Sequence, residues 1–200
     1  PTDARCCLGK PIWMCSFMLF YTSLLSLAVF ALAGCGQPGA LDYGFVISNV
    51  TVRPAYQSLD VRLQQDLELS TQAREALEHG VTLTIRLELQ LRSDSNLIVM
   101  HNETRDFQLR YLPLSERFQL SKEETGESRA FSRLRHLLAA MNDFTVQIPT
   151  GPLPSGSYEL RTRISLDERR LPTPIQLPAW FSSQWRNDSE WSTWPFSVIV

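Results

Sequence analysis

The clearest pattern in this chain of 200 residues is a strict alternation of apolar and polar positions from Val81 to Leu91. The apolar positions are Val81, Leu83, Ile85, Leu87, Leu89 and Leu91, and those between them are Thr82, Thr84, Arg86, Glu88 and Gln90. Because successive side chains of a β-strand point to opposite faces, this spacing predicts a long strand with one buried face.

Weaker alternation of the same kind recurs along the chain. The segments rich in β-branched, aromatic and leucine residues are 45–53, 59–63, 97–100, 107–111, 118–120, 144–148 and 158–166. Such residues suit a pleated, half-buried surface, and short turns separate most of the segments. The pattern therefore predicts an antiparallel meander of strands.

Two short helices are predicted among these strands. In the first, Ser70 or Thr71 caps a helix through Leu77, and Gly80 follows where a left-handed residue is tolerated. The second is predicted to begin at Ser128. Its apolar residues, which recur at helical spacing, are Phe131, Leu134, Leu138 and Met141.

These elements predict a mainly β fold. Many strands, short turns and no alternation of strand with crossover helix favour an antiparallel two-layer β-sandwich with two short helices. The run from Pro154 to Leu160 resembles the turn-and-strand entry of immunoglobulin-like domains, so that topology is one form we expect. A half-open barrel is the alternative that strand count alone leaves open. By length, residues 43–200 make a single domain.

The first 35 residues have a different character. From Pro11 to Leu41 there is no charged side chain, and the span Trp13–Leu32 is almost wholly apolar. Arg5 and Lys10 precede this span, and small residues follow it in the run Leu32-Ala33-Gly34-Cys35. A basic region, an apolar region and a small-residue cleavage site are the parts of a secretory signal. The final run resembles a bacterial lipobox.

This pattern predicts that lipid is attached to Cys35. Residues 1–35 would then be a signal peptide, residues 36–42 a short tether, and the domain a lipoprotein held on the periplasmic side of a bacterial cell envelope. A membrane anchor that is not cleaved is the alternative, because the apolar span has about the ~20 residues that cross a bilayer. In both cases the membrane is the first expected partner.

Composition and motifs exclude several classes of function. The 19 basic and 21 acidic residues are interspersed, which gives none of the clustered positive charge that nucleic-acid binding requires. The histidines, His79, His101 and His136, have no partner at metal-ligand spacing, so we expect no metal and no cofactor. No nucleophile motif occurs either, and we expect a protein that is not an enzyme. An enzyme would need a site assembled from distant residues, for instance His101 near Glu103.

Two features are candidates for binding a partner. Trp180, Trp185, Trp191 and Trp194 lie within fifteen residues, and Trp is enriched at interface hot spots. Of these, Trp185, Trp191 and Trp194 are the candidate partner-binding residues, although core packing is the alternative. Arg129 and Arg133, on the polar side of the second predicted helix, are the other candidates, with a solvated helix face as the alternative.

Three further runs are distinctive, namely Ala76-Leu77-Glu78-His79-Gly80-Val81, Arg105-Asp106-Phe107-Gln108-Leu109-Arg110-Tyr111 and Leu171-Pro172-Thr173-Pro174. They are similar to runs in a proteobacterial family catalogued as domain of unknown function 4390. The resemblance extends over roughly residues 45–196. It implies an exported or membrane-anchored protein of uncharacterised role, encoded near a membrane sensor histidine kinase as a signalling accessory would be, and it assigns no functional residue.

The sequence thus favours an envelope lipoprotein that acts as a protein-binding or scaffolding module at a membrane, with another envelope protein as partner. A ligand-sensing accessory to a membrane histidine kinase is the first alternative, and it requires a closed apolar pocket between the sheets. An enzyme with an active site that matches no motif is the second.

Overall fold

The alternating segment forms the centre of the larger of two antiparallel sheets. The structure, a computed structural model, describes residues 43–95 and 98–199, which belong to one compact unit. The predicted signal or anchor, with Cys35, and the predicted tether lie outside these residues. The strands are β1 (Gly44–Pro54), β2 (Ser58–Glu68), β3 (Leu83–Ser93), β4 (Val99–Leu112), β5 (Arg117–Lys122), β6 (Ser128–Phe131), β7 (Asp143–Pro149), β8 (Gly156–Leu166) and β9 (Ser192–Val198).

The smaller sheet has the strand order β1-β2-β7, and the larger has the order β6-β5-β4-β3-β8-β9. All neighbouring strands are antiparallel, so the predicted mainly β, antiparallel fold is confirmed. Buried side chains of both sheets form one hydrophobic core. Across it, the rings of Phe107 in β4 and Phe144 in β7 meet edge to face, with centroids 5.4 Å apart.

Strand β3 shows why the alternation was informative. Its inward residues Leu83, Ile85, Leu87, Leu89 and Leu91 are all buried in the core, and β4 and β8 pair with its two edges. In β1 the alternation shifts phase: Phe45 and Ile47 are buried, and the next buried residue is Val50. A β-bulge between Ile47 and Asn49 inserts one residue and causes this shift.

The described residues contain three short α-helices instead of the two predicted: α1 (Thr71–Glu78), α2 (Leu134–Met141) and α3 (Thr173–Phe181). Helix α1 is as predicted. The Ser70 side chain accepts a hydrogen bond of 3.2 Å from the Ala73 amide, and Gly80 has a positive φ of 90°. Helix α3 was not among the predicted elements. Its Pro174 lies in the first turn, where its missing N–H costs nothing.

The second predicted helix begins later than expected. Residues Ser128–Phe131 form β6, which pairs with β5, and only Leu134–Met141 are helical. The apolar spacing of Phe131 fits a helix and a strand alike. Residues 128–131 form a strand because they pair with β5, and such tertiary contacts commonly override local propensity. Likewise, the predicted strands 97–100 and 107–111 contribute to one long strand, β4.

Candidate functional site

A cleft of about 400 Å³ lies between the two sheets, where β7 faces β4 and β5. We call it the inter-sheet cleft. Phe107 and Leu120 of the larger sheet and Phe144 and Val146 of the smaller sheet form its apolar part. The cleft is open, and charged residues form its rim. It therefore differs from the closed apolar pocket that a ligand-sensing domain would need.

Most charges at this rim are paired. Lys122 Nζ lies 3.2 Å from Glu127 Oε2, and Arg105 bridges Glu103 and Glu124. Arg129 differs, because among the described residues its guanidinium makes no ion pair. It lies instead over the ring of Phe131, 5.6 Å from the ring centroid. Arg129 thus remains able to bind a carboxylate that approaches the cleft.

The other predicted arginine is placed differently. Arg133 is the residue before α2, in an extended conformation, and its side chain caps no backbone group of the helix. The basic helix face predicted from Arg129 and Arg133 is therefore wrong, because Arg129 belongs to a strand and Arg133 precedes the helix. Of these two arginines, Arg129 lines the inter-sheet cleft and Arg133 does not.

Strand β7 borders the cleft with its hydrogen-bonding edge. Within the described part of the chain it pairs with β2 alone, so its other edge has no strand beside it. Both the outward residues Thr145 and Gln147 and the inward residues Phe144 and Val146 line the cleft. Only the edge of a strand brings residues of both faces to one cavity.

The other three edge strands each carry a feature that discourages pairing. Strand β6 has four residues, β9 contains Pro195, and β1 has the bulge between Ile47 and Asn49. Short strands, proline and bulges are the devices that protect sheet edges. Strand β7 pairs regularly over seven residues, and its proline, Pro149, stands at the end. It is the edge best suited to receive another strand.

The tryptophans predicted to bind a partner serve mainly the fold. Trp185 is only 6% exposed and belongs to the core. Trp194 is half-buried, and its Nε1 donates a hydrogen bond of 2.9 Å to Oγ1 of the buried Thr162. Trp191 is also half-buried, with the Arg161 guanidinium 4.9 Å from its ring centroid.

An exposed apolar surface does exist near Trp180, on α3. Its members are Leu177, 60% exposed, Trp180, 53% exposed, and Phe181, 89% exposed. They share one face because residues three and four positions apart are neighbours on a helix. We call these three residues the α3 patch. The sequence singled out the tryptophans but gave no means of separating Trp180 from the buried Trp185.

The pair predicted for an enzyme, His101 and Glu103, is present. His101 Nε2 lies 3.1 Å from Glu103 Oε2, and the other oxygen of Glu103 accepts from Arg105 at 2.8 Å. The three residues occupy every second position of β4, so their side chains lie on one face of the strand, and all three are partly buried. Glu103 is thus held by two neighbours, by a hydrogen bond with His101 and by an ion pair with Arg105. Within the described ranges, no group of three or more His, Cys, Asp or Glu residues could hold a metal.

The outer face of the larger sheet carries an ion-pair network that the sequence did not predict. Arg86 donates to Asp106 from Nε at 2.9 Å and to Asp167 from Nη2 at 2.9 Å. Arg170 Nη2 lies 3.0 Å from the second oxygen of Asp106. The hydrogen bond with Asp106 is the largest of the effects that raise the pKa of Arg86.

Beside this network lies a second cleft, of about 710 Å³, on the outer face of β3 and β8. We call it the outer cleft. Its walls carry arginines and carboxylates in equal number, namely Arg86, Arg163, Arg169, Arg186, Glu88, Asp167, Glu168 and Asp188, together with Trp180. Burial raises the pKa of Glu168, and Asp188 and Asp167 add to that effect while Arg186 opposes it.

Replacing Glu168 with glutamine should raise the melting temperature at pH 7 and change it little near about pH 4. The pKa of Glu168 is higher in the folded chain than in the unfolded chain, so the folded chain holds this proton more tightly. The free energy of unfolding therefore falls as the pH rises through the folded-state pKa. Glutamine carries no charge at either pH, so the variant does not lose this stability. Glu190→Gln, at an exposed carboxylate, is the matched control and should show no such pH dependence. Equal shifts at both pH values would contradict the assignment.

A family model described as a domain of unknown function (DUF4390) matches residues 42–195. The match includes the three runs in which the sequence resembles that family. Comparison with curated proteins gives no match, and comparison with solved structures gives none either. The immunoglobulin-like topology therefore stays a prediction, as does the assignment of partners.

Proposed function

Given that this chain belongs to the DUF4390 family, whose domain has unknown function, we propose that it is a binding module held at a membrane of the bacterial envelope through lipid on Cys35. The partner is another envelope protein. It binds as an extended segment along β7, in the mode where a peptide adds a strand to an exposed sheet edge.

The observation that supports this proposal is the unprotected edge of β7 beside the inter-sheet cleft. A strand edge presents a row of unpaired N–H and C=O groups, and an added strand satisfies them. Successive side chains of the added strand would point alternately away from the cleft and into it. Those that enter would contact Phe107 and Phe144 in the apolar part of the cleft.

The rim of the inter-sheet cleft favours an acidic residue in the partner segment. Arg129 is exposed and makes no ion pair within the described residues, so a carboxylate on the partner would gain a charge-assisted hydrogen bond there. Glu124 and Glu127 are already engaged by Arg105 and Lys122. The expected partner segment is therefore extended, apolar at alternate positions and acidic near Arg129.

Photocrosslinking in intact cells tests this proposal. A photoreactive amino acid at Thr145, exposed in β7, is expected to give one discrete adduct with another envelope protein. The same group at Thr51, exposed in the opposite edge strand β1 of the same sheet, is expected to give none. At both positions the photoreactive group replaces an exposed threonine in an edge strand. The two variants therefore differ only in which edge of the sheet carries the group.

Charge reversal sharpens the test. Arg129→Glu should lower the yield of the Thr145 adduct because it places a carboxylate opposite the acidic partner, whereas Arg133→Glu should leave it unchanged. Both arginines are exposed, and only Arg129 lines the cleft. Equal adducts from Thr145 and Thr51, or no adduct from Thr145, would argue against strand addition at β7.

A further inference from the structure

The α3 patch is not used by the binding mode just described. Helix α3 packs on the molecule through the buried Ala179 and through Gln176, whose Nε2 donates to the backbone oxygens of Arg169 at 2.9 Å and Leu171 at 2.6 Å. Its opposite face presents Leu177, Trp180 and Phe181 to solvent. A leucine and two aromatic rings at this exposure form an apolar patch of the kind that marks an interaction site.

The point where the chain enters the domain lies beside this patch. The hydroxyl of Tyr43, the first described residue, donates a hydrogen bond of 3.2 Å to the backbone oxygen of Ser183. Ser183 follows Phe181, the end of α3, by two residues. The beginning of the described domain and the end of α3 are therefore adjacent.

The tether between Cys35 and the domain is short. Residues 36–42 can span at most about 25 Å even when fully extended. If the chain is anchored at Cys35, the surface around Tyr43 is kept within about 30 Å of the bilayer, and an anchor in the apolar span that ends at Leu32 allows about 40 Å. The end of the α3 patch, which lies beside Tyr43, is then held near the lipid as well.

We propose that the α3 patch inserts into the interfacial region of the bilayer to which the chain is tethered, and so fixes the orientation of the domain on the membrane. Trp prefers this region, and leucine and phenylalanine are the apolar residues of helices that lie in it. This inference rests on the membrane anchorage that forms part of the proposed function. No helix among the described residues has the length and apolar character to cross a bilayer.

The charges around Trp180 are balanced, because the outer cleft that Trp180 lines carries four arginines and four carboxylates. The attraction of the α3 patch to the bilayer is therefore apolar.

Fluorescence quenching in vesicles tests the inference. The full chain, purified from membranes, is reconstituted into vesicles of phosphatidylethanolamine and phosphatidylglycerol with and without brominated acyl chains. The difference between wild type and Trp180→Phe isolates the emission of Trp180. That emission is expected to be shifted to shorter wavelength and quenched by bromine. The corresponding difference for Trp191→Phe, the matched control, should show no quenching.

A second variant keeps the test independent of any effect of Trp180→Phe on folding. Phe181 is 89% exposed, so Phe181→Ser removes almost no core contact. It is expected to reduce the quenching of Trp180. Trp180 emission that bromine leaves unchanged would overturn the inference, and a crosslink from position 181 to a protein would then identify a protein as the occupant.

Flotation of the same vesicles separates the two proposals. Chain that floats with the vesicles while Trp180 stays unquenched retains the anchorage and overturns the role of the α3 patch. Chain that does not float overturns the anchorage, and the inference about α3 with it. Cys35→Ser should release the chain from cell membranes if the anchor is lipid, and should leave it there if the apolar span is an uncleaved anchor.

Discussion

Replacing Trp185 with alanine is expected to lower the free energy of unfolding by about 3–5 kcal/mol, the usual cost of removing a large buried aromatic side chain. The residue is 6% exposed, and its segment contacts both α1 and α3. The cavity left behind would open between these helices and the core. Equilibrium denaturation followed by circular dichroism measures the loss.

Trp191→Ala provides the matched control. Trp191 is half-buried, and its identified partner is the guanidinium of Arg161, a contact that contributes about 0.5–1 kcal/mol at an exposed site. We expect a correspondingly small loss of stability. If the two variants lost the same stability, or if Trp185→Ala kept full stability while it weakened binding of a partner, Trp185 would be an interface residue as the sequence first suggested.

The contrast between these tryptophans shows what the sequence could predict. Strand β3 was predictable because its alternation keeps one phase along its whole length, with one face in the core. The tryptophans have no such period. Whether a tryptophan is buried depends on which elements pack over it. The segment of Trp185 contacts α1, which is distant in sequence, and α3, which directly precedes it, whereas Trp180 is left outside because α3 turns that face to solvent.

The binding edge was hidden from the sequence for a related reason. The alternation of residues 144–148 predicts a strand, but a strand is an edge only by virtue of the order of strands in the sheet, which long-range pairing sets. Arg129 was named as a candidate because it stood on the basic side of the second predicted helix. Its position at the inter-sheet cleft depends on β6 pairing with β5, where the apolar spacing had suggested a helix.

Nor did the sequence predict the network around Arg86. The residues that it joins, Asp106 and Asp167, stand on β4 and after β8, and the sheet brings them to the same face. The two carboxylate side chains are only 12% and 8% exposed. Arg86→Met is expected to lower the free energy of unfolding by about 3 kcal/mol, because it leaves buried carboxylates without their principal partner. Arg170 still pairs with Asp106, which keeps the loss at the lower end of the usual range.

Arg62→Met is the matched control for this experiment. Arg62 also donates two hydrogen bonds to an aspartate on another strand, Asp143, with distances of 2.9 and 2.6 Å, but that pair is exposed to solvent. Exposed ion pairs contribute little, so its loss should be much smaller. Combining Arg86→Met with Asp167→Asn should recover part of the stability, because the amide removes one of the two stranded charges. Equal losses for Arg86→Met and Arg62→Met, or no recovery in the double variant, would show that packing of the Arg86 side chain, not its charge, stabilises this face of the sheet.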